Sequence, residues 1–188
     1  MLIEKIISGG QTGVERGALE AAFEAGFPYG GMIPKGRVSA DGIVPEKFDR
    51  LKVAVRKDYP FRNEYNVGHS DATLILAREM WDDDKRYDSK EIEEARIGGT
   101  KRTVDFCRKH KRPYLVLFSA NLTKTIDWLT TLGKEDILLN IDGPCESSAK
   151  GIQSAAKAFV TRLIEAVRTR ASDLPARNST DGRAELPR

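Results

Sequence analysis

Three glycines occupy the segment Gly9-Gly10-Gln11-Thr12-Gly13, between a β-branched apolar run and an alanine-rich stretch with helical periodicity. Glycines let the backbone approach a ligand closely, and the start of a helix offers N–H groups and a positive dipole end to an anion. Gln11 and Thr12 add side-chain donors. Neither G-x-G-x-x-G nor a Gly-Lys-Ser/Thr sequence is present, so no dinucleotide fingerprint and no ATP-binding P-loop are predicted. The segment predicts a phosphate-binding corner, with a simple strand-to-helix turn as the alternative.

A second segment of the same kind is Gly98-Gly99-Thr100, which also opens a predicted helix. Two such corners in one small domain, both at strand ends, predict two anion-binding sites that face one cleft. Thr100 also suits the N-cap of the following helix, and the two roles are compatible.

Three further polar loops contain candidate ligand contacts. The first loop has the cations Lys35 and Arg37 on a flexible stretch that contains Pro and Gly, and its Asp41 is a possible hydrogen-bond acceptor. The second precedes a short buried strand, and the third follows the last strand, where a carboxylate would accept from the N–H edge of a ligand. A solvated loop and helix capping are the alternatives. The predicted contacts in these loops are Lys35, Gly36, Arg37, Asp41, Asn66, Ser70, Asp71, Asp142, Gly143 and Glu146.

The residue types that usually carry catalysis or bind metals are sparse. The two histidines lie far apart in the sequence, and Cys107 suits a small core position on a helix. The acidic run at 82–84 adjoins basic residues and is typical of a solvated surface. No catalytic residue and no metal held by protein side chains are therefore predicted. If the protein is nevertheless an enzyme, Asp41, Asp71 or Glu146 is the expected acid or base.

Strands and helices alternate along the chain. Short apolar runs predict strands, and longer periodic segments predict helices. This alternation predicts an α/β protein, a Rossmann-like three-layer α/β/α sandwich with a mostly parallel sheet whose loops meet at the carboxyl ends of the strands. The segment 62–70 is expected to form only one or two turns, and 78–97 a charged surface excursion, partly helical at 89–96. Strands are predicted at 3–8, 72–77, 114–118 and 137–141, short extended stretches at 29–33 and 51–55, and helices at 12–25, 98–111, 124–132 and 148–168.

Composition limits the classes of protein to consider. The chain has 188 residues, of which 40% are hydrophobic, which is enough for a single domain at 1–169. The tail at 170–188 lacks apolar periodicity and is expected to be disordered. The net charge of +3 is not concentrated in a basic segment of the domain, so nucleic-acid binding is not expected. No apolar run long enough for a membrane helix and no secretory signal are visible, and only two cysteines are present. We expect a soluble, cytoplasmic protein.

Six motifs together resemble the putative molybdenum carrier family of the SLOG superfamily, whose domains are Rossmann-like. They are ISGGQTGVERGALEAA, GGMIPKGRVSADG, NVGHSDATLIL, GGTKRT, KRPYLVL and LNIDGPCES, and they span about residues 3–165. The resemblance implies a domain, usually a homo-oligomer (dimer or tetramer), that binds molybdenum cofactor (molybdopterin) or a related phosphorylated pterin or nucleotide. Molybdopterin's phosphate would suit the glycine corners, and its own dithiolene would hold the metal.

The chain also departs from that family's pattern. Glu15 stands where the family has Asp, and Cys145 stands where a basic residue is usual. The superfamily includes phosphoribohydrolases with the motif P-G-G-x-G-T-x-x-E, but IGGTKRTVD lacks the proline, the inserted glycine and the glutamate. A ligand carrier is therefore predicted first, and a nucleotide or nucleotide-sugar processing enzyme is the alternative.

Overall fold

The computed structural model describes residues 2–77 and 101–172. Its centre is a five-stranded sheet of order β2-β1-β9-β7-β8 in which all pairs are parallel. The strands are β1 (Ile3–Ile7), β2 (Tyr29–Gly30), β3 (Met32–Ile33), β4 (Val38–Ser39), β5 (Gly42–Ile43), β6 (Lys52–Val53), β7 (Ala72–Leu76), β8 (Tyr114–Leu117) and β9 (Ile137–Asp142). The helices are α1 (Val14–Glu24), α2 (Tyr59–Gly68), α3 (Lys101–Lys109), α4 (Leu122–Thr131) and α5 (Ile152–Ser172). The predicted Rossmann-like α/β fold is confirmed.

Burial explains the order of the strands. Every residue of β7 is buried, and β9 lies between β7 and β1, so the most apolar strands form the middle of the sheet. Helix α1 packs along α5, and α5 also contacts α4, whereas α2 packs on α3. Gly17 permits the close crossing of α1 and α5, because a Cβ there would lie 2.3 Å from the backbone oxygen of Gln153.

Helix α2 corrects the expectation for the segment 62–70. Instead of one or two turns, a ten-residue helix begins after Asp58, whose carboxylate accepts a hydrogen bond from the Phe61 amide at 3.0 Å. Its buried positions include Arg62 and Asn66, so its inward face is partly polar. The sequence suggested only one or two turns, because these polar residues interrupt the apolar stripe that usually marks a packed helix.

The segment 33–45, predicted to be a long loop, contains more order than expected. After a single 3₁₀ turn at Lys35–Arg37, β4 and β5 form a small antiparallel hairpin. The extended stretch at 29–33 is divided at Gly31, which has a φ of 127° and lies against Ser8. Its second half, β3, pairs in parallel with β6 rather than joining the main sheet. The predicted excursion at 78–97 and most of the predicted tail lie outside the described residues.

Candidate functional site

Three of the predicted ligand loops meet at the carboxyl edge of the sheet. The side-chain oxygen of Gln11 accepts a hydrogen bond from the Ala40 amide at 2.8 Å, which joins the glycine segment to the β4–β5 hairpin. The Val14 amide donates to the Pro144 oxygen at 3.2 Å, which joins it to the loop after β9. These loops therefore form one continuous surface, as expected for the carboxyl ends of neighbouring parallel strands.

The amides of the glycine segment, just before α1, already have acceptors within the protein. The Gln11 amide donates to the Glu15 carboxylate, and the Thr12 amide to the Gln11 side chain, both at 2.9 Å. The Gly13 amide donates to the side-chain oxygen of Gln153 at 3.2 Å. All three acceptors are side-chain oxygens. A phosphate at this helix start would therefore have to replace side-chain acceptors.

Contacts with the protein itself explain why the segment needs glycine. A Cβ on Gly9 would lie 1.7 Å from a terminal guanidinium nitrogen of Arg62. Gly13 has a φ of 87°, and a Cβ there would lie 2.3 Å from the Pro144 oxygen. Gly10 also has positive φ, at 75°, beside the side chains of Ile33 and Val44. The glycines thus allow close packing of the loops on each other and on Arg62.

A buried charged cluster lies beneath these loops. Arg62 on α2 forms an ion pair with Glu15 in the first turn of α1, and both side chains are 4% exposed. Asp142, at the end of β9, accepts a hydrogen bond from the Gly143 amide at 2.6 Å and another from the Thr103 hydroxyl. Thr103 lies on α3, so the amino end of α1 and a residue of α3 both meet at this cluster.

Burial and charge determine the protonation of the cluster. Burial, together with the nearby Glu15 carboxylate, raises the pKa of Asp142 to about 6, although Arg62 opposes the shift. Burial disfavours the charge on Arg62, but the adjacent Glu15 outweighs it and raises the pKa of Arg62. The Arg62 Nε is buried without a hydrogen-bond acceptor among the described residues. Two carboxyl groups and one guanidinium thus share a buried site.

Sequence and structure comparisons place the chain in a family. A model described as "Circularly permutated YpsA SLOG family" matches residues 6–164. The chain belongs to this family. A crystal structure named "Putative molybdenum carrier protein", from Syntrophus aciditrophicus SB, is 32% identical with a TM-score of 0.68, and the match covers 86% of this chain and 94% of that one. No functionally curated protein matches the sequence.

The strand order is consistent with the permutation in the family's description. If β9 is counted as the first strand, the sheet reads 3-2-1-4-5 from β2 to β8. That is the order of a Rossmann sheet, whose ligands bind where the connections diverge on either side of the first strand. In this SLOG domain that point is the carboxyl end of β9, where Asp142 lies.

Arg37 and Asp41, two of the predicted ligand contacts around the β4–β5 hairpin, form hydrogen bonds with other groups of the protein. The Arg37 guanidinium donates to the backbone oxygens of Val44, Pro45 and Phe48 at 2.8–3.3 Å. Asp41 accepts from Arg16 at 3.2 Å, and hydrogen bonds from Ser39 and Arg16 lower the pKa of Asp41. In contrast, Lys35 and Gly36 of the same loop are exposed.

Other predicted contacts lie away from the surface or serve a structural role. Asn66 is buried and forms two hydrogen bonds with the backbone of Met32, at 2.7 and 3.1 Å. Ser70 and Asp71 precede β7 at the opposite, amino edge of the sheet, where Asp71 pairs with Lys134 at 2.5 Å. Glu146 accepts from the Gly151 and Gln153 amides and so caps α5.

The predicted Gly98, Gly99 and Thr100 lie outside the described residues. Three residues of the cluster and its surroundings were not among the predicted contacts: Glu15, Arg16 and Thr103. Arg16 is 4% exposed and donates twice to the Gly10 oxygen, at 3.0 and 3.1 Å. The sequence contained a signal for two of these residues. Glu15 and Arg16 are adjacent charged residues directly after the glycine segment, and packing of α1 alone would not require charges there.

Among residues 2–77 and 101–172, no group of three His, Cys, Asp or Glu side chains is placed to hold a metal ion. Within the same residues, no helix is both long and apolar enough to cross a bilayer.

Proposed function

We propose that this SLOG domain is a carrier that binds a small phosphorylated ligand at the carboxyl edge of its sheet, and that the ligand is molybdenum cofactor or a related nucleotide-like compound. The supporting observation is that the amino end of α1 and Thr103 of α3 meet at Asp142, at the carboxyl end of β9. A helix start carries about half a positive charge, so the amino end of α1 favours an anion at that point. The matched structure's name, "Putative molybdenum carrier protein", directs the choice of ligand.

The donor set fits a phosphate group. Arg62 has a buried N–H without an acceptor among the described residues, and an unsatisfied donor of this kind costs about 1–3 kcal/mol. The exposed Lys35 adds a cation on the loop that the Ala40 amide joins to Gln11. We place the phosphate between the glycine segment and Thr103 of α3, where Asp142 also lies. Molybdenum cofactor holds its metal on its own dithiolene sulfurs, and the protein's part is to bind, orient and shield it.

The proposal is tested by isolating the protein with its ligand. Native mass spectrometry and metal analysis of freshly purified protein are expected to show a bound pterin and molybdenum. Thermal shift assays with inorganic phosphate, nucleotides and molybdopterin should then show stabilisation by RT ln(1 + [L]/Kd). Binding of pterin with no response to nucleotide supports the carrier. No mass, metal or thermal response to any of these compounds would overturn the proposal.

A matched pair of surface variants localises the ligand. Lys35→Gln is expected to weaken binding several-fold without changing the unfolding midpoint, because its side chain is exposed and its loop is joined to Gln11 through the Ala40 amide. Lys111→Gln is the control, since Lys111 is exposed and precedes β8 at the amino edge of the sheet. Equal affinity of the two variants would exclude Lys35 as a ligand contact.

One observation favours a second candidate function, a nucleotide-processing enzyme. Asp142 is buried at the strand end, and burial raises its pKa to about 6, which suits a proton donor or acceptor near neutral pH. Incubation with nucleoside monophosphates, followed by chromatography of the products, tests this function. Product formation that Asp142→Asn abolishes would support the enzyme over the carrier.

A further inference from the structure

A second cavity, separate from the carboxyl edge, lies between α2 and the β2 side of the sheet. Its volume is about 370 Å³, near the lower end of the range for small-molecule sites. It is lined by Lys5, Ile7, Tyr29, Gly30, Gly31, Arg50, Lys52, Tyr65, Asn66, His69 and Leu138. We call it the α2 cavity. It extends to Leu138, which precedes Asp142 by four residues on β9. At the rise per residue of a strand, this corresponds to about 13 Å.

The charge of the α2 cavity is one-sided. Three of its lining residues, Lys5, Arg50 and Lys52, are cations, and none of its lining residues is acidic. The guanidinium of Arg50 lies 5.6 Å from the centre of the Tyr29 ring. Neither lysine forms an ion pair with a carboxylate of the described residues, unlike Lys109, Lys134 and Lys157. Three cations around one small concave space attract an anion of high charge density.

One wall of the α2 cavity is aromatic. The rings of Tyr65 and His69 stack with their centres 3.7 Å apart and their planes 15° from parallel. The His69 Nδ1 lies 2.9 Å from the Tyr65 backbone oxygen, which fixes the orientation of the imidazole. Gly30 leaves room on the β2 side, since a Cβ there would contact Lys5 only at an ordinary 3.6 Å. A flat organic group therefore fits beside the cations.

We propose that the α2 cavity binds a phosphate monoester whose organic part contains a planar ring, such as a nucleoside monophosphate. The phosphate contacts Lys5, Arg50 and Lys52, and the ring lies against Tyr65 and His69. The cavity is too small for a macromolecular ligand. This site is independent of the one at the carboxyl edge, because it shares no residue with the Glu15–Arg62–Asp142 cluster.

The test uses the full chain, with adenosine monophosphate and inorganic phosphate as probes. Calorimetry measures the affinities, and ¹H–¹⁵N NMR locates the probe through the amides of Gly30 and Gly31. Lys52→Glu is expected to weaken adenosine monophosphate binding at least tenfold. Its control, Lys124→Glu, makes the same change of charge at an exposed position on α4 and is expected to bind as the wild type does.

Two further variants separate the parts of the ligand. Tyr65→Leu is expected to weaken the binding of adenosine monophosphate but not that of phosphate. Gly30→Val narrows the cavity within a strand, where a β-branched residue is tolerated, and is expected to abolish the binding of both probes. Three results would each overturn the proposal. They are equal affinity of wild type and Lys52→Glu, NMR shift changes confined to Gly9–Gly13, and no binding of either probe at about 10 mM. Shifts confined to Gly9–Gly13 would instead support the carboxyl-edge site.

Discussion

Replacement of Asp142 by asparagine is expected to stabilise the protein at neutral pH. The pKa of this buried carboxyl is about 6 in the folded state, against an ordinary value of 3.8, because burial and Glu15 disfavour its charge. A difference of about two pKa units corresponds to about 3 kcal/mol in the free energy of unfolding. That figure already includes the attraction by Arg62, which opposes the shift.

The pH dependence follows from the direction of the shift. Because the folded state binds this proton more tightly than the unfolded chain does, the stabilisation is complete below about pH 4. It is lost as the pH rises through about 6. The asparagine side chain of the variant would remain neutral throughout, and its amide oxygen and nitrogen would still pair with the Gly143 amide and the Thr103 hydroxyl.

Urea denaturation of wild type and Asp142→Asn from pH 4.5 to 7.5 measures this effect. The variant is expected to gain stability relative to the wild type as the pH rises, by up to about 3 kcal/mol at pH 7.5. Asp127→Asn, an exposed acid on α4, is the matched control for removal of one charge. A variant that is less stable at pH 7.5, or a difference that does not change with pH, would refute the argument.

Three other substitutions have expected effects on urea stability. Gly13→Ala should lower the free energy of unfolding by about 2–5 kcal/mol, because φ is 87° and the added Cβ would lie 2.3 Å from the Pro144 oxygen. Gly133→Ala is the control, because Gly133 has a φ of 62° but open space around it, and it should cost only about 1 kcal/mol. Gly17→Ala should destabilise α1 against α5 although alanine favours helices by about 1 kcal/mol, and a gain would contradict the close crossing. Arg62→Met should lower the free energy of unfolding by about 3–5 kcal/mol at pH 7.5, and by less at pH 5, where Asp142 is protonated. An equal loss at both pH values would contradict the electrostatic coupling between Arg62 and Asp142.

The strands of the sheet could be predicted from sequence, whereas α2 could not. The runs that became β1, β7, β8 and β9 are short, apolar and rich in β-branched residues or leucine, so a local pattern specifies them. In α2, the inward positions include Arg62 and Asn66, whose partners are Glu15 and the backbone of Met32. Those partners are distant in sequence, so no local periodicity marks this face as buried.

The convergence of the loops was predictable, but the roles of individual side chains were not. Parallel strands bring their carboxyl ends together, so the glycine segment and the loop after β9 had to meet. Whether a polar side chain binds a ligand or another group of the protein depends on which partners the fold brings close to it. Asp41 and Glu146 matched the expected chemistry, yet their carboxylates accept from Arg16 and from the start of α5.

The cluster also predicts that binding at the proposed carboxyl-edge site takes up a proton. A phosphate beside Asp142 would raise the pKa of that carboxyl above about 6, because a second negative charge nearby disfavours its ionisation. Between about pH 6 and 7.5, each bound ligand would therefore bring in up to one proton, and affinity would fall as the pH rises. Calorimetry with molybdopterin at pH 7, in two buffers of different ionisation enthalpy, measures this uptake directly. It should disappear in Asp142→Asn while binding itself persists, and wild-type binding heats that are identical in both buffers would contradict a phosphate at this position.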